Sequence, residues 1–221
     1  KINLYILLVA YATSNCYTRK MSKETILITG TNGNVSKELI QILLKEEVNL
    51  VATYHNKKPI ETYKDVQYRH LDFLDTSTYK AATKGVDKIF LVRPPQIANI
   101  KRDFLPFLAH LKQIHITQVV FLSVQGAENN KIIPHAKIEK FLIQLQLPYT
   151  NLRPCYFMQN LTTTHLESIQ DESLSLPCGD GATSFIDVKD IGSIAAIVLQ
   201  ESSWIRKSIT ITNTHSHTFS E

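Results

Sequence analysis

Three observations predict an α/β fold built on one doubly wound, mostly parallel sheet with helices on both faces. From Met21 onward, short β-branched runs alternate with stretches of helical periodicity, the pattern of strands joined by crossover helices. The first such run leads directly into a turn with two glycines, GTNGNVS at 30–36, and then into an amphipathic helix. Apolar residues fill 43% of the 221 positions and charged residues 20%, enough to bury the core of a single domain of this size.

Strands are expected at 25–29, 49–54, 66–71, 88–92, 118–124, 149–152 and 208–212, each dominated by residues that suit a pleated, buried surface. Between the first two, Val35, Leu39, Ile42 and Leu43 recur at i, i+4, i+7 and i+8 and line one face of a helix. Further helices are expected at 76–83, opened by Asp75 and closed by Gly85, at 97–113, at 134–145, and at 188–200 with Asp187 as its N-cap. Pro106 should kink the 97–113 helix, because it lacks an N–H and crowds the preceding turn.

Composition removes several function classes. Seven glycines and eight prolines are too few for a linker-rich or collagen-like chain. Cys16, Cys155 and Cys178 form no CxxC pair and have no His-rich metal spacing around them, so reduced thiols and no metal site are expected. Lys1, Arg19 and Lys20, three of the 24 basic side chains, precede Met21 with no acid among them, which leaves 21 basic against 20 acidic residues in the rest of the chain. A nearly neutral body without Lys/Arg clusters does not suit nucleic-acid binding. Residues 1–20 are expected to be a non-native or disordered extension. A secretory leader is the alternative reading of Lys1, the apolar run and the small residues Ala10 and Ala12, which are too short a run to span a bilayer.

The glycine turn carries the first chemistry. Two glycines three apart at a strand-to-helix junction let the backbone approach a ligand, while the helix N-terminus offers N–H groups and a positive dipole end to a pyrophosphate. The pattern is GxxGxxS, with Ser36 where a fuller fingerprint has a third glycine. After the second strand, where an NAD site places an acid on the ribose hydroxyls, the chain reads Tyr54, His55, Asn56, Lys57, Lys58. Two cations and no carboxylate favour the 2′-phosphate of NADP(H), with NAD(H) as the alternative.

The segments ILITGTNGNVSKELI (26–40), FLVRPP (90–95), VVFLSVQGAE (119–128), HAKIEKFLIQLQLPYTNLRPCYFMQNL (135–161) and TSFIDVKDIGSIAAIVL (183–199) resemble the NmrA-like family of atypical short-chain dehydrogenase/reductases. The resemblance covers nearly all of 25–221, and its most specific part is PYTNLRP followed by Tyr156, Phe157 and Asn160. It implies a Rossmann fold with a small C-terminal substrate lobe, expected to be incomplete after the final THTFSE. It also implies either an NADPH-dependent quinone reductase or a nucleotide-sensing regulator without turnover.

Carried over by position, the resemblance assigns Gly30, Thr31, Asn32, Gly33, Asn34 and Val35 to the pyrophosphate, and His55, Asn56 and Lys57 to the adenosine ribose phosphate. Asp72 and Phe73 would flank the adenine; Leu91, Val92 and Arg93 would cover the nicotinamide ribose side. Ser123, Val124 and Gln125 would lie beneath the nicotinamide, and Pro154, Cys155, Tyr156 and Phe157 would form its far wall.

Conventional short-chain dehydrogenases follow the Ser with a Tyr and, four residues on, a Lys that lowers the Tyr pKa. No YxxxK follows Ser123 here. His135 opens the next helix where relatives have Lys or His, so Ser123 and His135 are the candidate catalytic pair, with His135 a cofactor ligand or proton donor. Cys155 reads as a small buried hydrophobe rather than a nucleophile, and His215 and His217 as loop residues rather than a metal pair. The expectation is a cytoplasmic NADP(H)-binding oxidoreductase acting on a small molecule such as a quinone, away from membranes. Its protein partner would be a second copy of itself or a regulatory protein.

Overall fold

The computed structural model describes residues 23–58, 62–173 and 179–218. The 1–20 extension, Cys16, Cys178 and the end of the chain at Glu221 lie outside the described residues. Seven strands form one sheet: β1 (Thr25–Ile28), β2 (Asn49–Tyr54), β3 (Val66–His70), β4 (Lys88–Val92), β5 (Gln118–Leu122), β6 (Tyr149–Pro154) and β7 (Lys207–Ile211). Their order is β3-β2-β1-β4-β5-β6-β7 and every pairing is parallel. The connecting helices are α1 (Asn34–Leu43), α2 (Tyr79–Ala82), α3 (Ile100–Asp103), α4 (Leu105–Gln113), α5 (Pro134–Gln144), α6 (Gln159–Thr162), α7 (Leu166–Gln170) and α8 (Val188–Gln200). This is the doubly wound fold expected from the alternation of elements, and no helix among the described residues is long and apolar enough to cross a membrane.

The period of two along each strand sorts its side chains between two cores. Ile26, Ile28, Leu50, Ala52, Phe90, Val120 and Leu152 face α1 and α8, where they meet Leu39, Leu43, Ile191, Ala195 and Leu199. Leu27, Val51, Ile89, Leu91, Val119 and Phe121 face the other way, onto Phe104, Phe107 and Leu111 of the α3–α4 segment and Ile138 and Leu142 of α5. Each fully buried side chain of this size contributes about 1.5–3 kcal/mol of transfer free energy, so both faces are needed to offset chain entropy. On α8, Gly192 lets α1 come close, since a Cβ there would stand 3.0 Å from that of Glu38.

Several boundaries move by one or two residues, as where the fifth strand ends at Leu122 rather than 124, and three further differences have a local physical reason. The 97–113 helix is two helices broken at Phe104 (φ −123°, ψ −34°), and Pro106 lies in the first turn of α4. A proline there cannot donate back to Arg102, so the break falls before it rather than at it. The 76–83 helix starts as a 3-10 turn, Thr76–Thr78, with Asp75 accepting from Ser77 N–H (2.9 Å). Strand β6 runs to Pro154 rather than 152, because Arg153 and Pro154 pair with Thr210 and Ile211 of β7.

Candidate functional site

All assigned segments leave the sheet at its carboxyl edge, where open parallel sheets bind ligands. At the end of β1, Gly30 has φ +65°, and a Cβ on it would lie 3.0 Å from Val92 Cβ, so both backbone and space call for glycine. The Gly33 N–H donates to the Gly30 carbonyl (2.8 Å) and closes the turn. Gly33 is also the N-cap of α1, which has no side-chain cap and no acid in its first turn. The helix therefore keeps its first N–H groups for an external acceptor. Ser36, in place of the third glycine, is buried and donates to the Thr29 carbonyl (2.9 Å), so a small side chain tying α1 to β1 does the packing expected of glycine.

Two residues of the turn point inward. The Thr31 hydroxyl donates to the Thr53 carbonyl (2.7 Å), and Val35 belongs to the core, so these offer a ligand only their backbone. Asn32 and Gly33 are exposed and Asn34 is half-buried.

On the adenosine side, His55 Nε2 lies 3.2 Å from Asp72 Oδ2 and joins the ends of β2 and β3, while Asp72 Oδ1 accepts from Leu74 N–H (2.8 Å). Asn56 and Lys57 are exposed; the Lys58 ammonium lies over the Tyr68 ring at 5.2 Å. Phe73 departs from the expectation. Its ring is packed against Phe104 (4.8 Å) and Phe107 (5.0 Å) in the core, so its side chain cannot flank an adenine. Burial, with Asp72 and Asp75 adding to it, pushes the neighbouring Tyr79 hydroxyl up to about 12, and that hydroxyl donates to the Phe73 carbonyl.

On the nicotinamide side the assigned residues separate into two groups. Val124, Gln125, Pro154, Cys155, Tyr156 and Phe157 line one open cleft of about 400 Å³, together with Asn160 and Thr183. Leu91 is wholly buried, Val92 packs against Gly30, and Arg93 turns back onto its own loop. The aromatic wall is ordered by a T-shaped contact of Tyr156 with Phe185 (5.6 Å) and a stack on His165 (6.3 Å). Burial raises the Cys155 thiol, consistent with an inert side chain.

Ser123 does not line the cleft. It is 1% exposed and its hydroxyl donates to Glu139 Oε1 (2.5 Å). Glu139, 5% exposed, also accepts from Nε and Nη2 along one edge of the Arg153 guanidinium (3.0 and 2.6 Å), and Arg153 Nη1 reaches Glu128 at 3.2 Å. Ser123, expected as a catalytic and cofactor-binding group, is instead buried, with its hydroxyl tied into an ionic strut made by Glu139 and Arg153. His135, one turn before Glu139, packs on Phe121 (6.0 Å). Burial first, then the charge of Arg93, lowers its pKa to about 4 against the opposing effect of Glu139. At neutral pH it is an uncharged imidazole that donates or accepts hydrogen bonds, not an acid.

Glu139 escaped the sequence reading, although an acid between Ile138 and Leu142 on a helix face, with an arginine inside a buried strand, is a legible sign of a buried pair. Gln159 also escaped it. Its amide donates to Asp187 (2.8 Å) and accepts from Val188 N–H (3.1 Å), which fixes the α6 segment to the α8 N-terminus. His217 pairs its backbone with Thr183, and no group of three metal-ligating side chains occurs among the described residues.

Comparison with known proteins agrees with this fold. The chain is 28% identical over 206 residues to the prestalk A differentiation protein A of Dictyostelium discoideum, covering 90% of this chain and 67% of that protein. Among solved structures it superposes on the Citrobacter sp. triphenylmethane reductase complexed with NADP(H) with a TM-score of 0.76 at 22% identity, covering 88% of this chain and 72% of that one. It superposes on the Escherichia coli NADPH-dependent quinone oxidoreductase QOR2 complexed with NADPH with a TM-score of 0.75 at 21% identity, covering 87% and 71%. The sequence model of the NmrA-like family matches residues 22–218, so the chain belongs to the NmrA-like family.

Proposed function

We propose that this chain binds NADP(H) along the carboxyl edge of its sheet and transfers hydride to a quinone or a similar small electrophile in the cleft. The observation that carries the reading is the uncapped N-terminus of α1 over the Gly30–Gly33 turn, a cradle that a Cβ at Gly30 would close. The residues present fit a dinucleotide. The uncapped N–H groups at the start of α1 would meet the diphosphate, and the exposed His55, Asn56 and Lys57 after β2 would edge the adenosine ribose. The exposed cations favour NADP(H), and NAD(H) is the weaker ligand. Solved relatives with this fold are described as complexes with NADP(H) and NADPH, which supports the same assignment here.

The reduced nicotinamide, when bound, supplies a hydride, that is, two electrons and one proton. Val124, Gln125, Tyr156 and Phe157 would hold the acceptor in the cleft and exclude water from it. Four groups near the cleft are poor proton donors at neutral pH: burial raises Cys155 and Tyr156, His135 is lowered to about 4, and the Ser123 hydroxyl is engaged with Glu139. Quinones suit such a site, because hydride addition leaves a hydroquinone monoanion that takes its proton from water. The same shortage of acids favours the second reading, a nucleotide sensor acting through a protein partner without turnover. Loss of NADPH absorbance with a panel of quinones tests the choice. Oxidation with any quinone supports the reductase; tight NADPH binding with no oxidation of any of them transfers the site to the sensor.

A further inference from the structure

Arg93 directly follows β4, whose end lies between the glycine turn after β1 and the β5 end that leads into the cleft. Its environment differs from that of the other guanidinium groups near the site. Arg153 is neutralised by Glu139 and Glu128. Arg93 Nη1 donates only to the carbonyls of Pro94 (2.9 Å), Pro95 (3.1 Å) and Ile97 (2.9 Å). Among the described residues no carboxylate lies within 4.0 Å of it. Its Nε is buried with no acceptor, and no hydrogen bond is made by Nη2.

A guanidinium stays charged in any protein setting. Partly withdrawn from water and facing only carbonyl dipoles, it is under-compensated, which is costly unless an anion completes its shell. Burial lowers its pKa, in keeping with that incomplete compensation, and its charge is felt at His135.

We propose that Arg93 is an anion-recognition residue that takes an oxyanion on the guanidinium edge its own loop leaves unbonded. The inference rests on the reductase reading of the same edge of the sheet. Two oxyanions have the required chemistry: a diphosphate oxygen of the dinucleotide, and the phenolate-type oxygen formed when a quinone accepts hydride. In the second case Arg93 stabilises the product anion electrostatically, and no protein acid is needed in the hydride step.

The test uses Arg93→Gln with three probes measured by calorimetry: NADP+, ADP-ribose 2′-phosphate, which keeps the diphosphate but lacks the nicotinamide, and pentachlorophenolate added to NADP+-saturated protein. If the diphosphate is the partner, both nucleotides weaken about ten- to a hundredfold, the range for losing a charge-assisted hydrogen bond. If the substrate oxygen is the partner, both nucleotides bind as before and the phenolate weakens by a similar factor. Arg93→Lys, which keeps the charge, should restore part of whichever loss is seen. Should Arg93→Gln not fold, the Arg93 Nε–H resonance of the unaltered protein gives the answer: it should move on adding the probe that is its partner. Unchanged affinity for all three probes, or a resonance that no probe moves, overturns the proposal and leaves Arg93 as a tie for its loop. An unaltered protein that binds neither nucleotide nor phenolate overturns the reductase reading as well.

Discussion

Replacing Gly33 with valine separates the dinucleotide site from the fold. Gly33 has φ −76° and ψ 151°, extended backbone in which a β-branched residue is comfortable, so the exchange introduces no dihedral strain. Its new Cβ would lie 3.1 Å from the Gly30 carbonyl oxygen, a contact relieved by a shift of a few tenths of an ångström. Valine is also a poorer N-cap than glycine, and the two effects together should cost about 1 kcal/mol, or roughly 2–4 °C in Tm for a domain of about 200 residues. Binding should suffer far more. The added isopropyl group covers the approach to the first-turn N–H groups of α1, and losing two charge-assisted hydrogen bonds at about 1.5–3 kcal/mol each weakens NADPH by about 3–6 kcal/mol. That is a factor of about 10²–10⁴ in Kd. Calorimetric titration with NADPH, alongside a thermal melt, reads both quantities. A folded Gly33→Val protein whose NADPH affinity stays within twofold would refute the phosphate assignment, and a large fall in Tm would refute the claim that the turn and the fold are separable.

The other perturbations probe different parts of the same edge. Lys57→Glu should weaken NADPH by about 1–3 kcal/mol and leave NADH little changed, whereas Lys58→Glu, whose parent side chain lies over Tyr68, should do less; equal losses for both cofactors would remove this loop from 2′-phosphate recognition. Glu139→Ala leaves Arg153 without its buried partner and should cost about 3–5 kcal/mol in urea denaturation, while Ser123→Ala, which leaves the ion pair intact, should cost no more than about 2 kcal/mol. The reverse ranking would contradict the strut. His135, held neutral with a folded pKa of about 4 against 6.5 unfolded, makes the unfolded chain bind more protons between those values, so stability should be flat above pH 6.5 and fall from there to pH 4. His135→Leu should flatten that part of the profile, and an unchanged slope would mean that other groups produce it.

Much of the architecture is legible in the sequence alone. The strands beginning at Thr25, Asn49, Val66, Lys88, Gln118 and Tyr149 start where the β-branched runs start, and the seventh begins one residue early, at Lys207. Asp187 caps α8 by accepting from Lys189 N–H (2.9 Å), as an acid at that position should. The resemblance alone assigns six of the eight residues that line the cleft. The errors fall on side-chain direction. Phe73 and Leu91 follow the right strands yet point into the core, and Ser123 stands at the right height in the sheet with its hydroxyl aimed at a helix rather than at the cleft.

The sequence by itself determined which segments become strands and helices, where the glycine turn meets the first helix, and which family the chain resembles, because periodicity, capping and turn chemistry act between residues only a few positions apart. The tertiary structure alone decided whether each polar side chain serves a ligand or the fold. Thr31 is spent on Thr53, 22 residues away, Ser123 on Glu139, 16 away, and Arg153 on Glu139, 14 away, while Arg93 finds only the carbonyls of its own loop. A buried donor or acceptor must find a partner wherever packing brings one within about 3 Å, and that partner is set by how the strands and helices stack rather than by the neighbouring sequence.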